Sequence, residues 1–285
     1  MKRTAILIAC VLVFSVSICP GQTLRRAEDY YQRGLAKFEK GDIDGAIADY
    51  SKAIEIYPKY AAALNSRAVA KKAKGDVEGA LADLTRTIEL SPEIALPYYH
   101  RGFIFLERQD FDAAIKDFDR ALEIQPNLAI VYNNRGDARR GKGDRAGAIA
   151  DYTKAIENKP DFLEAYYNRA VARTVEGDAN GAIADYGKVI ELESQNAEAY
   201  YNRGTLLQAK GEVDAAISDF TRAIEINPQY AEAYADRGLA RLDKRLDSEA
   251  QKDFDKALEL NSSMKDNLEQ RIKYLKYQRD QKRKP

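Results

Sequence analysis

The sequence predicts an all-α fold of the α-solenoid type, and three observations support that prediction. A pattern of 34 residues recurs seven times between Ala27 and Met264, a span of 238 residues with no insertion or deletion. Each copy has two stretches of helical periodicity, at places 2–14 and 17–30 of the repeat. Glycine at place 15 and proline at place 32, each in five copies, mark turns after these stretches. A fixed period of this length is typical of stacked helix pairs.

The N-terminal residues 1–21 differ from the repeats and resemble a secretory signal peptide. Lys2 and Arg3 precede an uncharged apolar run over 5–18, and small residues follow it. Cleavage after Gly21 would leave 22–26 as a short linker. Two alternatives stay open: an uncleaved inner-membrane anchor formed by residues 4–19, or a lipoprotein modified at Cys10 or Cys19. The segment predicts an exported protein, either periplasmic or secreted.

The domain boundaries follow the period. The predicted repeats occupy 27–60, 61–94, 95–128, 129–162, 163–196, 197–230 and 231–264. In the remaining segment, 265–285, Leu268, Ile272 and Leu275 fall on one helical stripe. We therefore expect a capping helix that covers the last apolar face, followed by a basic tail. That tail would bind an anionic membrane surface only weakly.

Two stripes in each repeat predict the packing of its helices. Places 4, 8 and 11 share one side of the first helix, and places 20, 24 and 27 share one side of the second. In the fourth copy, Tyr132 and Gly136 would face Ala148, Tyr152 and Ala155. Large residues beside small ones allow close packing. We therefore interpret the recurring tyrosines at place 4 as core residues and expect no cofactor there.

With Pro160 at place 32, the fourth copy resembles the tetratricopeptide repeat family. The family pattern has a large aromatic at place 4, small residues at 8, 20 and 27, an aromatic at 24 and proline at 32. The resemblance covers 27–264. It implies antiparallel helix pairs wound into a right-handed superhelix around a concave groove. It also implies a non-enzymatic scaffold for protein interaction.

Every copy has arginine at place 7, where the family usually has an apolar residue, and aspartate at place 23. These places face each other in an antiparallel hairpin, and they lie on the same flank of the packing stripes. We predict structural ion pairs, partly buried where one repeat stacks on the next. The predicted pairs are Arg33 with Asp49, Arg67 with Asp83, Arg101 with Asp117, Arg135 with Asp151, Arg169 with Asp185, Arg203 with Asp219, and Arg237 with Asp253.

Places 2, 5, 6, 9, 12 and 13 of the first helix lie off the packing stripe, and the resemblance places them on the concave groove. Tyrosine and asparagine recur at places 5 and 6, beside mostly apolar residues at place 9. Asparagine amides can pair with peptide N–H and C=O groups, and tyrosine gives rigid contact area. The candidate peptide-groove residues are Tyr31, Tyr99, His100, Phe103, Asn133, Asn134, Tyr167, Asn168, Tyr201 and Asn202. Ordinary solvated helix surface is the alternative interpretation.

Charge narrows the choice of partner. The chain has 45 Lys and Arg against 45 Asp and Glu, so no nucleic-acid partner is expected. Chaperone-tail binders of the family clamp a carboxylate with basic residues at places 2, 5 and 6, whereas place 2 here is glutamate in four copies. That clamp is not expected. Glu164, Glu198 and Glu232 favour a ligand with some positive charge at that end.

The chain offers little material for catalysis. His100 is the only histidine, and both cysteines lie in residues 1–21. We therefore expect no metal site, no cofactor and no enzymatic activity. The predicted function is a scaffold that binds an extended peptide or a partner helix during assembly of an envelope or secretion complex. The alternative is a structural oligomer that self-associates and leaves its groove empty.

Overall fold

The computed structural model describes residues 20–281, which contain fifteen α-helices, one short 3-10 helix and no strand. The predicted all-α fold is confirmed. Residues 1–19 of the predicted signal peptide, including Cys10 and Cys19, lie outside the described residues. The helices are α1 (Pro20–Glu39), α2 (Ile43–Ile56), α3 (Ala61–Lys74), α4 (Val77–Leu90), α5 (Ala95–Glu107), α6 (Phe111–Ile124), α7 (Ala129–Gly141), α8 (Arg145–Asn158), α9 (Leu163–Glu176), α10 (Ala179–Leu192), α11 (Ala197–Ala209), α12 (Val213–Ile226), α13 (Ala231–Asp243), α14 (Asp247–Leu260) and α15 (Lys265–Gln281).

The chain divides into two compact units, Met1–Ile104 and Phe105–Pro285, and each is described by itself. In the described part of the first unit, α1 packs on α2, α2 on α3 and α3 on α4. In the second unit, each helix from α6 to α13 packs on the next one, and α15 packs on α13. Each unit is therefore a stack of consecutive helix hairpins.

The second helix of a repeat starts at place 17 because the residues before it form a turn and a cap. Asp144 accepts a hydrogen bond from the Gly147 N–H at 2.9 Å, as an N-cap does. Place 15 takes a left-handed backbone conformation, for example at Gly143 with φ 85°. Gln109 and Arg245 occupy this place in the two copies without glycine, and they take the same conformation at φ 60° and 65°. The turn geometry therefore holds even where a Cβ makes it strained.

A small residue at place 8 lets the two helices of a repeat approach closely. A Cβ added to Gly136 would lie 2.7 Å from the Tyr152 ring. Ala68 and Ala170 occupy the same place in other copies and have no exposed surface. The helices of a pair run antiparallel, since Arg169 bonds Asp185 while the later Arg173 bonds the carbonyl of the earlier Gly181.

Residues 22–26, predicted to form a short linker, belong to the helix α1. The helix α1 starts at Pro20, a residue favoured in the first turn. After Gly21 this segment contains no glycine or proline, and Leu24, Arg25 and Arg26 are good helix formers. The helix therefore continues without a break to Ala27, which is fully buried.

The helix α15 ends the stack. Leu268 is 2% exposed and joins the core cluster of Phe254, with Ile272 and Leu275 packed against it. Ile272 stands at the position equivalent to place 8, where the repeats have glycine or alanine. Because a branched side chain fills the space that a second helix would need, α15 covers the last repeat without offering a surface for another.

Among the helices of residues 20–281, none has both the length and the apolar character required to cross a membrane. In the same part of the chain, no cluster of three or more His, Cys, Asp or Glu side chains has the arrangement of a metal site.

Candidate functional site

The arginine at place 7 binds the buried aspartate at place 23 of the same repeat. In the fifth repeat, Arg169 Nε and Nη2 donate to the two oxygens of Asp185 at 2.9 and 2.7 Å. The same two-bond contact joins Arg33 to Asp49, Arg67 to Asp83, Arg135 to Asp151, Arg203 to Asp219 and Arg237 to Asp253. Arg101 lies in the first unit and Asp117, which is buried, in the second.

The same arginine also reaches the preceding repeat through its third nitrogen. Arg169 Nη1 donates to the Thr153 hydroxyl at 3.0 Å, and Arg135 Nη1 donates to an Asp119 oxygen at 2.6 Å. Three further contacts of this kind join Arg67 to Ser51, Arg101 to Thr85 and Arg237 to Thr221. One guanidinium therefore fixes both the hairpin and the stacking of neighbouring repeats. This second contact was not predicted, although a hydroxyl or carboxyl group at place 25 was a visible signal.

A second cation contacts the aspartate in five repeats. Arg173 Nη1 lies 2.8 Å from Asp185 Oδ2, and it comes from place 11, which helical spacing assigns to the packing stripe. That assignment holds for Leu207, which is buried in the core. It is wrong for Lys37, Lys71, Arg139, Arg173 and Arg241, each of which pairs with the aspartate at place 23.

Paired cations keep the Asp49 carboxyl group ionised. At Asp49, the hydrogen bond from Arg33 outweighs the effect of burial and, together with Lys37, lowers the pKa to about 2. Arg33 belongs to the first of the arginine–aspartate pairs, and its side chain is 57% exposed, against 12% for Arg169 in the fifth repeat. Within residues 20–281, the repeat that contains Arg33 is the first of the stack.

Side chains at places 5 and 6 bind each other across neighbouring repeats. The residue at place 5 contacts the residue at place 6 of the next repeat, 35 positions later. Asn168 Nδ2 donates to Asn133 Oδ1 at 3.2 Å, and the Tyr201 hydroxyl donates to Asp236 Oδ2 at 2.9 Å. Asn202 with Tyr167, His100 with Asn65, and Tyr31 with Ser66 follow the same pattern. These side chains therefore tie the repeats together as well as facing outward.

Burial limits what the asparagines can offer to a ligand. Asn133 and Asn134 are only 5% and 6% exposed. Within residues 20–281, Asn134 Nδ2 is buried without a hydrogen-bond partner. Places 5 and 6 lie off the packing stripe, yet part of their hydrogen-bonding capacity is used inside the array.

The candidate tyrosines pack against other aromatic rings and expose one side. The Tyr31 ring centroid lies 5.2 Å from that of Tyr60, and Tyr201 lies 4.9 Å from Tyr230. Tyr167 meets Tyr186 edge-on at 5.8 Å. These rings are half-buried, so they form rigid walls of the surface.

Two recesses lie on the first helices of the first unit. Recess A has a volume of about 250 Å³ and is lined by Tyr31, Ala61, Ala62, Asn65, Ser66, Thr87, Ile94, Leu96 and Pro97. Recess B has a volume of about 220 Å³ and is lined by Ala68, Val69, Lys72, Leu84, Tyr99, His100, Phe103 and Ile104. Both recesses are mostly apolar, and the candidate residues Tyr31, Tyr99, His100 and Phe103 line them.

A recess of different character lies in the second unit. Recess C, of about 380 Å³, is lined by Asn133, Asp137, Leu163, Glu164, Tyr167, Asn168, Asn196 and Glu198. Its polar groups are already partly engaged, since the Tyr167 hydroxyl donates to Glu198 at 3.1 Å and Asp137 accepts from Tyr152 at 2.8 Å. The carboxyl groups give recess C an acidic lining.

His100 makes the stability of the first unit depend on pH. Burial, followed by the positive charge of Lys72, lowers the pKa of His100 to about 4. The unfolded chain binds that proton near pH 6.5. His100 therefore costs no stability above pH 6.5, and its effect lowers the free energy of unfolding as pH decreases from there towards 4. We expect the urea midpoint to drop further between pH 7 and pH 4.5 in the natural protein than in His100→Gln, which does not titrate. Equal drops would show that His100 carries no such linkage.

Comparisons with known proteins identify the repeats. Models described as tetratricopeptide repeat match residues 95–128, 129–162 and 197–230, and a TPR repeat model matches 34–75 and 176–211. These ranges cover more than half of the chain. The chain belongs to the tetratricopeptide repeat family. Proteins of this family are scaffolds for protein interaction.

Solved structures show the same fold. The chain is 30% identical to the protein MamA over 60% of its own length and 94% of that chain, with a TM-score of 0.56. It is 23% identical to YrrB, described as a TPR protein with an unusual peptide-binding site. That match covers 65% of this chain and 95% of YrrB, with a TM-score of 0.58. It is 19% identical to PilF of Pseudomonas aeruginosa over 72% of its own length and 94% of that chain, with a TM-score of 0.64. The last two likenesses bear on the fold alone. A search of curated proteins gave no match.

Proposed function

We propose that this protein is an interaction scaffold that holds an extended segment of a partner protein against its first helices. The observation that carries the proposal is the position of recesses A, B and C. All three are lined mainly by residues of first helices. Proteins of this family bind other proteins, and recesses along the first helices can receive the side chains of a peptide ligand.

The two units favour different side chains of a ligand. Recesses A and B suit apolar groups, because Ile94 and Leu96 are 43% and 49% exposed and Leu84 lies beneath recess B. Recess C suits a polar or positively charged group, because Glu164 and Glu198 line it. The leader-like sequence of residues 1–21 supports use of the scaffold in assembly of an envelope or secretion complex.

Self-association through the ends of the array is the weaker alternative. Place 3 is a buried small or apolar residue inside the stack, as at Ala63 and Ala233, but it is the exposed Asp29 on α1. At the other end, Ile272 blocks a further helix. Both ends therefore disfavour stacking of one copy on another, and sedimentation should show a monomer at high concentration.

The proposal is tested by selecting peptides from a random display library on the whole protein. We expect the selected peptides to lose at least about tenfold in affinity with Leu96→Lys or Glu164→Lys, since each change places a wrong charge on the first-helix face. Leu192→Lys is the matched control, because Leu192 is 43% exposed at the end of the second helix α10. Peptides that bind all three variants equally would place the binding surface elsewhere.

A further inference from the structure

Recesses A and B lie on either side of one hydrogen bond. His100 Nδ1 and Asn65 Oδ1 are 3.0 Å apart, with Asn65 lining recess A and His100 lining recess B. Both recesses belong to the first unit. A polar pair flanked by two apolar recesses forms a repeating apolar–polar–apolar surface.

We propose that this surface binds a peptide in the polyproline-II conformation with two apolar side chains three positions apart, one in each recess. The inference rests on the proposed function and names the kind of segment that the first unit takes. Four features of the surface support it: the apolar character of the recesses, the separation of their lining residues, the polar pair between them and the charge at one rim.

The recesses suit single apolar side chains. The floor of recess B is formed by Ala68, Leu84 and Ile104, which are 0–2% exposed. Recess A combines the methyl groups of Ala61 and Ala62 with the exposed side chains of Ile94 and Leu96. Volumes of 220–250 Å³ leave room for one leucine or phenylalanine side chain in each.

The separation of one outer lining residue from each recess favours one ligand conformation. Leu96 in recess A and Phe103 in recess B are seven residues apart on α5, and seven residues of helix extend about 10 Å. In a polyproline-II chain, side chains three positions apart share one face and are separated by about 9 Å. In a β-strand, side chains on one face are about 7 or about 13 Å apart, which fits less well.

The polar pair between the recesses matches one peptide group. Because the amide oxygen of Asn65 can only accept, His100 Nδ1 carries the proton and His100 Nε2 is left as an acceptor. Asn65 Nδ2 is left as a donor. One donor and one acceptor side by side can pair with the C=O and N–H groups of the ligand backbone. A polyproline-II chain has these groups unpaired, whereas a helical ligand does not.

Charge gives the ligand a further feature. Of the side chains that line recesses A and B, Lys72 is the charged one, and its Nζ lies 4.5 Å from the Phe103 ring centroid. A positive rim disfavours a basic residue and favours an acidic one beside the apolar side chain in recess B. The expected segment is apolar, two intervening residues, apolar, acidic.

The test measures fluorescence anisotropy of labelled peptides with the whole protein at pH 7. The main probe carries two leucines separated by two residues, one of them proline, followed by glutamate. Control probes separate the leucines by one or by three residues, or place them seven apart in a helical peptide. We expect the main probe to bind at least about tenfold more tightly than each control.

Variants of the protein locate the binding. We expect Leu96→Lys and Val69→Lys each to weaken the main probe at least about tenfold, and Asn65→Leu to weaken it about tenfold. Leu192→Lys should leave it unchanged, and circular dichroism checks the fold of each variant. Tighter binding of a control probe, or equal binding by all variants, overturns the inference. If display-selected peptides of another pattern still bind the first helices, the proposed function stands; if no peptide binds there, both fail.

Discussion

Replacing Asp185 with alanine is expected to destabilise the protein by about 3–5 kcal/mol, because it leaves two partly buried guanidinium groups without their carboxylate. Asp185 is 3% exposed and binds both Arg169 and Arg173. Of these, Arg169 also holds Thr153 of the preceding repeat, so the change disturbs a hairpin and its stacking together. The measurement is the free energy of unfolding from urea denaturation, fitted repeat by repeat.

Two controls separate burial from charge in this experiment. Glu191→Ala breaks an exposed pair with Lys188 and should cost less than about 1 kcal/mol. Replacing Arg169, Arg173 and Asp185 together with apolar residues of similar size should recover much of the loss, because none of the three charges is then left without its partner. A loss for Asp185→Ala no larger than that for Glu191→Ala would mean that the pairs do not hold the repeats.

Tyr152→Ala is expected to cost about 3–5 kcal/mol, since it empties the centre of the fourth hairpin. Tyr152 is fully buried, and its ring lies against Gly136. The same urea measurement applies. Gly136 has no side chain that could fill the cavity, so the surrounding helices have little means of relaxing.

Tyr152→Phe isolates the hydroxyl group, which donates to Asp137 at 2.8 Å. Removal of that hydrogen bond should cost only about 1 kcal/mol, because Asp137 is also contacted by Arg140 and is not deeply buried. If Phe and Ala at this position were equally destabilising, the hydroxyl contact rather than the packed ring would hold the hairpin.

The architecture was predictable because the same turn and packing residues recur in successive repeats. Gly143 and Asp144 mark the turn before α8, and Gly136 and Tyr152 mark the close contact of the pair. The start of α1 was not predictable in this way, since residues 22–26 belong to no repeat. Their helical conformation depends on local propensity and on the burial of Ala27, which the period does not reveal.

The surface was harder to predict because helix geometry alone does not say which neighbour a side chain meets. Asn168 and Tyr201 were assigned to a groove, yet their partners lie 35 residues away in the adjoining repeat. Arg173 was placed on the packing stripe because helical spacing alone defined that stripe. For the groove residues, the spacing of 35 residues is one position longer than the period and marks a contact between repeats. At place 11, the charged residues in five of the seven copies were the signal of a second cation at the aspartate of the same repeat.

Hydrogen exchange with mass spectrometry, with and without a display-selected peptide, tests the central claim most directly. The claim is that a partner segment binds the first helices. We expect slower exchange in α3 and α5, in α7 and α9, or in both sets, and unchanged exchange in the second helices α4, α8 and α10. Protection confined to the second helices, or to α15, would contradict the account.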